Sequence, residues 1–351
     1  MKTSLKTFRH DFTEHMLNFV WHQWCRMGVA GSVTQKPGWV IDPEPLLAFT
    51  SEVARHDARM FDQVLDWLAT NGHWINTQRL STLVKQGDIG DTAVVGGIAC
   101  WMTERDKSAK WRGVSRTFNP PAQKPAEALF HAQPSVSPDL LGPPCPQFQR
   151  YGLIRGPIRT REIMQPVNMK DPANVMFKSR AIFGIGIRAD VTAYLATANG
   201  GHARQIADVL GYNHARVADV LAEMAEAGMV AMHSAGQAKL YRIDREQWRS
   251  ILVPGRAEAL PWVNWRYLTR GLTTLWREVW ALDEQRADDY VFSSEARKAM
   301  QAAHDDLLNS GIPFAIEDHR AHVAESYLPI FQADIDAIMR LLAGEAGIAR
   351  A

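Results

Sequence analysis

The sequence predicts a mainly α-helical protein with one small β-hairpin, and three observations carry that expectation. Apolar residues recur three and four apart along most of the chain, the period of an amphipathic helix. Only "MVAMHSAGQAKLYRI", residues 229–243, reads as two short strands, around a Gly236–Gln237 turn. Eight of the 18 prolines fall between Asn119 and Pro146, which divides the chain. At 351 residues it is long enough for two or three domains. Its hydrophobic fraction of 46% and charged fraction of 22% are those of an ordinary folded protein.

Residues 1–118 are expected to form an N-terminal helical domain. "FTEHMLNFVWHQWCRM" places Phe12, Met16, Phe19, Val20 and Trp24 on one helical stripe. The turn-rich "GVAGSVTQKPGWVIDPEP" follows. "ARMFDQVLDWLATNG" has Phe61, Val64, Leu65 and Leu68 at helical spacing and stops at Asn71-Gly72. "NTQRLSTLVKQG" opens on an Asn76 or Thr77 cap, and "DTAVVGGIACWMTERD" reads as a third helix. This order is similar to a helix-turn-helix core. Gly96, Gly97 and sparse positive charge mark the third helix as a packing element rather than a reader of DNA.

Residues 119–182 are expected to be a Pro-rich linker and a basic strap. From Arg150 to Arg188 eight basic residues face Glu162 and Asp171, a net of +6. From Ala281 to Ala349 five basic residues face thirteen acidic ones, a net of −8. Charge is therefore polarised although the whole chain carries only +1.

Residues 183–250 hold the most specific pattern. A first helix buries Ile187, Val191, Tyr194, Leu195 and Ala198; a second, "ARQIADVLG", buries Ile206, Ala207 and Leu210. "GYN" makes the turn, with Gly211 suited to a left-handed helix end and Asn213 suited to capping the next helix. "HARVADVLAEMAEAG" buries Val217, Val220, Leu221 and Met224, and the hairpin follows. Three helices, this turn and a hairpin resemble the winged helix-turn-helix of bacterial regulators of the MarR and ArsR type. The N-terminal "WVIDPEPLLAFTSEVARHDARMFDQVLDWL" is similar to a group of bacterial proteins that includes regulators or antitoxin partners of AbiE-type nucleotidyltransferase systems.

The resemblance implies binding to double-stranded DNA, with the third helix in the major groove. Asn213, His214, Ala215, Arg216, Ala218 and Asp219 then face outward. The Arg216 fork suits the two acceptors of guanine. Asn213 either reads adenine or caps its own helix. His214 and Arg204 suit phosphate, Tyr212 lies in the turn, and Gln237 and Lys239 lie at the wing tip. Asp219 opposes phosphate unless it pairs with Arg216 or accepts from cytosine, and Glu223 lies one turn later. A solvated acidic face packing on another protein is the competing reading.

Residues 251–351 are expected to form an acidic C-terminal helical bundle, with a final helix that Pro329 kinks. Five of the 12 tryptophans lie between Trp248 and Trp280, at spacings that favour core over stacking on bases. His319 and His322 stand three apart with Glu317 and Glu325 near, but no second ligand pair matches them, so no metal is expected. "FGIGIRAD" lacks the Lys-Ser/Thr of a phosphate-binding loop, and neither GxSxG nor HExxH occurs, so neither enzyme nor cofactor is expected. Cys25, Cys100 and Cys145 form no CxxC pair. No apolar run spans a membrane and the N-terminus has no signal-like core, which makes cytoplasmic residence the expectation. The function expected is a sequence-specific transcriptional regulator, a repressor acting as a homodimer on palindromic sites. The alternative is an antitoxin-like or scaffold subunit that binds a partner protein encoded nearby.

Overall fold

The computed structural model describes residues 4–31, 33, 38–86, 89–106, 109–119, 126–131, 142–161, 163–235, 238–253, 260–283, 288–318, 322 and 324–344. Among them the protein is mainly helical with a few short strands. The chain forms two compact units: residues 23–262, and residues 1–22 together with 263–351. Helix α1 (Leu5–Arg26) begins in the second of these and ends in the first.

In the larger unit, α2 (Pro43–Val53), α3 (Ala58–Asn71), α4 (Thr77–Gln86), α5 (Thr92–Thr103) and α6 (Lys110–Thr117) make a helical block. Helix α2 starts inside the segment whose prolines read as turns: Pro43 occupies the first helical turn, where its missing N–H costs nothing. Asp57 caps α3 by accepting from the Arg59 and Met60 amides at 2.9 Å. Asp91 caps α5 from Ala93 (2.9 Å) and Val94 (3.1 Å). Helix α5 is buried on nearly every side. Its two glycines are seats: a Cβ on Gly96 would fall 2.3 Å from the Tyr151 ring, and one on Gly97 2.6 Å from Phe148.

Those two rings belong to the strap, which is a packed part of this unit. Strand β1 (Glu127–Ala128), helix α7 (Pro146–Gln149) and strand β2 (Leu153–Ile154) lie along the block, with β1 and β2 paired in parallel. Arg155, only 4% exposed, pairs with Asp62 at 2.8 Å. Its guanidinium also lies 5.5–5.8 Å from the rings of Phe61, Phe130 and Phe148.

There follow α8 (Val175–Phe183), α9 (Ile187–Thr197), β3 (Gly201–His202), α10 (Ala203–Leu210), α11 (His214–Glu226), β4 (Ala231–Ala235), β5 (Ala238–Arg242) and α12 (Arg245–Leu252). The three strands form an antiparallel sheet in the order β3-β5-β4, with Tyr241 opposite both Gly201 and Met232. Helix α9 is packed on two sides. Val191 and Leu195 join Ile206, Leu210, Val217, Leu221 and Met224 in one core. Ala193 and Ala196 join Val40, Val175, Met176 and Leu252 in another.

The second unit combines the start of α1 with α13 (Trp265–Ala281), α14 (Asp289–Asn309) and α15 (Leu328–Leu342). Phe8 of α1 meets Phe292 and Phe331, each at 5.6 Å, and Phe12 meets Trp276 at 5.9 Å. Trp265 and Trp276 are buried, while Trp280 is exposed. The division therefore cuts across the four segments expected. Segments 1–118 and 183–250 fall largely in one unit, α12 goes with them, and the C-terminal helices take the N-terminal one as a partner. Pro329 lies in the first turn of α15 and starts that helix rather than kinking it. Among the described residues, no helix is long and apolar enough to cross a membrane.

Candidate nucleic-acid interface

The sequence of the turn dictates its geometry. Helix α10 buries Ile206, Ala207 and Leu210 and leaves Arg204 exposed. It ends at Gly211, whose φ of 69° is left-handed. A Cβ there would also come within 2.6 Å of Leu83 on α4, so glycine is required twice over. Asn213 then accepts from the amides of Ala215 (3.0 Å) and Arg216 (3.3 Å), which starts α11. Val217, Leu221 and Met224 bury one stripe of α11. His214, Ala215, Arg216, Asp219, Ala222, Glu223 and Glu226 are exposed.

The residues expected to face a ligand separate into three groups. His214 and Arg216 stand exposed on the first turn of α11 with Asp219 one turn on; Arg204 and Lys239 are exposed on α10 and β5. Among the described residues, neither Arg216 nor Asp219 takes part in an ion pair. Glu223 is neutralised instead by Arg188 of α9, at 2.5 Å. Two further residues are otherwise engaged. The Asn213 amide oxygen holds the cap, so a two-point contact with adenine would sacrifice it. Tyr212 turns its hydroxyl inward: it donates to Asp190 at 2.5 Å and accepts from Asn76 at 2.9 Å. Ala218 is half-buried. Gln237 lies outside the described residues, as does His319.

The basic strap contributes less exposed charge than its net of +6 implies. Arg155 and Arg180 are buried in ion pairs, and Arg188 is paired with Glu223. Arg150, Arg159, Arg161 and Lys170 remain exposed.

Beneath the turn lies a buried polar cluster that the sequence reading did not find. Arg180 of α8 bonds Glu44 of α2 (2.7 and 2.9 Å) and Asp190 of α9 (2.8 and 3.0 Å). Arg79 of α4 bonds Glu44 at 2.6 Å, grips Asp42, and donates from Nε to the Leu210 carbonyl at 2.6 Å. All five side chains are essentially inaccessible. Burial pushes the Glu44 carboxyl up, but Arg180 and Arg79 outweigh it and hold the group down at about 2. Burial and the neighbouring Asp190 push the Tyr212 phenol well above its ordinary range. The cluster fixes the end of α10 and the turn against α2 and α4. Its one sequence signal was the placing of Arg79 and Asp190 beside the apolar stripes of their helices.

Among the described residues, no group of three or more His, Cys, Asp or Glu is placed to hold a metal ion. The three cysteines are unpaired thiols. No protein-family model, curated protein or solved structure matches this chain.

Proposed function

We propose that the chain is a sequence-specific DNA-binding transcriptional regulator, with residues 183–250 acting as a winged helix-turn-helix. The observation that carries this reading is the outer face of α11. Its first turn offers Arg216 and His214 to solvent with no side-chain partner among the described residues, on a helix seated by its turn. A free guanidinium fork on the leading turn of a third helix suits the O6 and N7 of guanine. Arg204 and Lys239 supply flanking phosphate contacts. Asp219, left unpaired, accepts from a cytosine amino group and penalises other bases. Occupancy of an operator by a homodimer, giving repression, follows from the small contact area of one such module.

The test is fluorescence anisotropy of the protein on its own upstream DNA against scrambled DNA at about 150 mM salt, a concentration at which phosphate contacts alone are weakened. Arg216→Ala is expected to cost about 1–3 kcal/mol of binding and to erase the preference. Equal binding by the variant sinks this reading. A protein partner from the same genomic neighbourhood, bound equally well by Arg216→Ala, would then become the leading alternative.

A further inference from the structure

Past the end of α9, Arg242 lies against Gly200 and Arg245 against Asn199, with Arg249 one helical turn on from Arg245; among the described residues none of them pairs with a carboxylate. Helix α12 packs on α8 and α9. Its inward stripe carries Arg245, Trp248, Arg249 and Leu252, while Glu246, Gln247, Ser250 and Ile251 face outward. Arg245 and Arg249 are thus like charges one helical turn apart, on the packed side of their helix. Like charges at this spacing oppose folding. The Arg245 Nη1 donates to the Asn199 side-chain oxygen at 2.7 Å, just past the end of α9. The Nε atoms of Arg245 and Arg249 are shielded from solvent and have no hydrogen-bond partner among the described residues. Arg242, at the end of β5, lies against the adjacent Gly200: a Cβ there would be 2.7 Å from its side chain. Of the two carboxylates flanking Arg245 in sequence, Glu246 is exposed on the outward face and Asp244 caps α12 through the Glu246 and Gln247 amides, both at 3.1 Å. Among the described residues, none of the three arginines forms an ion pair.

Buried donors without acceptors and unbalanced like charge are costly unless something answers them. Guanidinium forks match the oxygens of phosphoryl groups in geometry and charge. We infer that Arg242, Arg245 and Arg249, with Asn199, form a binding site for a phosphoryl anion at the junction of α9, β5 and α12. The site does not depend on α11 reading DNA. Its ligand is the phosphoryl group of a small metabolite or a phosphate of a nucleic-acid backbone, and the two sources are separable.

The experiment is isothermal titration of the full chain with inorganic pyrophosphate, against sodium chloride at equal ionic strength. Wild type is expected to bind saturably at one site. Arg245→Gln and Arg249→Gln should each weaken binding about tenfold or more, as loss of a charged hydrogen bond does. Both variants should melt no lower than wild type without ligand, because each relieves the repulsion; a merely structural arginine would lower the melting temperature. Arg216→Ala should bind pyrophosphate as wild type does. Absence of saturable binding, or equal binding by both glutamine variants, overturns the site. In a competition arm, displacement of pyrophosphate by the upstream duplex assigns the phosphoryl group to DNA; no displacement assigns it to a free compound. A protein that fails to distinguish its upstream DNA but still binds pyrophosphate loses the DNA reading and keeps this site.

Discussion

Helices α5 and α11 begin alike and end up in opposite surroundings. Each is opened by an Asx side chain, Asp91 or Asn213, that accepts from two amides of the first turn. Each closes a run of three short helices. Yet α5 is sheathed on nearly every side, with Phe148 and Tyr151 of the strap lying on Gly97 and Gly96, whereas α11 buries only Val217, Leu221 and Met224. A helix-turn-helix pattern in the sequence therefore does not by itself leave a helix face open to a ligand. A helix can meet a ligand only if the rest of the chain leaves a face uncovered, and two adjacent glycines are an invitation to cover it.

Substitutions at matched places separate the two helices. The largest effect is expected at the link between the two regions. Arg180→Ala leaves Asp190 a buried charge without a counter-ion and Glu44 with Arg79 alone, and should cost about 4 kcal/mol in urea unfolding. A loss under 1 kcal/mol would show that the cluster does not hold the turn to the block. Next comes valine placed on each helix. Gly96→Val collides with Tyr151 and should cost about 3 kcal/mol. Ala222→Val, on the open face of α11, should stay within about 0.5 kcal/mol. Similar losses at both sites would erase the distinction.

The caps give a smaller contrast. Asn213→Ala loses a cap alone, worth about 1 kcal/mol. Asp91→Ala loses a cap and a 2.8 Å ion pair with Arg55, and should cost about 2 kcal/mol. Thermal melts of the two variants side by side decide this. The smallest effect is with pH. His56 follows Arg55 in the chain and lies 5.0 Å from His131. Burial, with the charges of His131 and Arg55, pulls His56 down to about 4 from an ordinary 6.5. Its contribution is therefore complete above pH 6.5 and is lost as pH falls through 6.5 towards 4. Lowering pH from 7 to 6 should remove under about 1 kcal/mol, and His56→Phe should flatten that drift. An unchanged slope in the variant assigns the drift elsewhere.

What was legible in the sequence was local. The 3.6 period, Gly211 and Asn213 gave α9, α10, α11 and their turn, because each signal lies within a few residues of its effect. Helix α2 was missed because Asp42-Pro43-Glu44-Pro45 reads as a turn when proline is taken as a breaker, although proline also starts helices. The outward face of α11 was legible as a set of positions, but its partners were not. Glu223 is answered by Arg188, and Tyr212 by Asn76, at separations of 35 and 136 residues. No periodicity reaches that far. The strap shows the same limit: its proline content spoke of a spacer, while Phe148, Tyr151 and Arg155 are core residues.

The hold of Arg79 on the Leu210 carbonyl, and of Arg180 on Asp190, bears on how this chain can be taken apart. Residues 183–250 have the outline of a portable cassette, yet cutting there severs Asp190 from Arg180 and Tyr212 from Asn76. A gene fusion that borrowed only this cassette would inherit a carboxylate with no counter-ion. A fusion that keeps these contacts has to move the two regions as one piece.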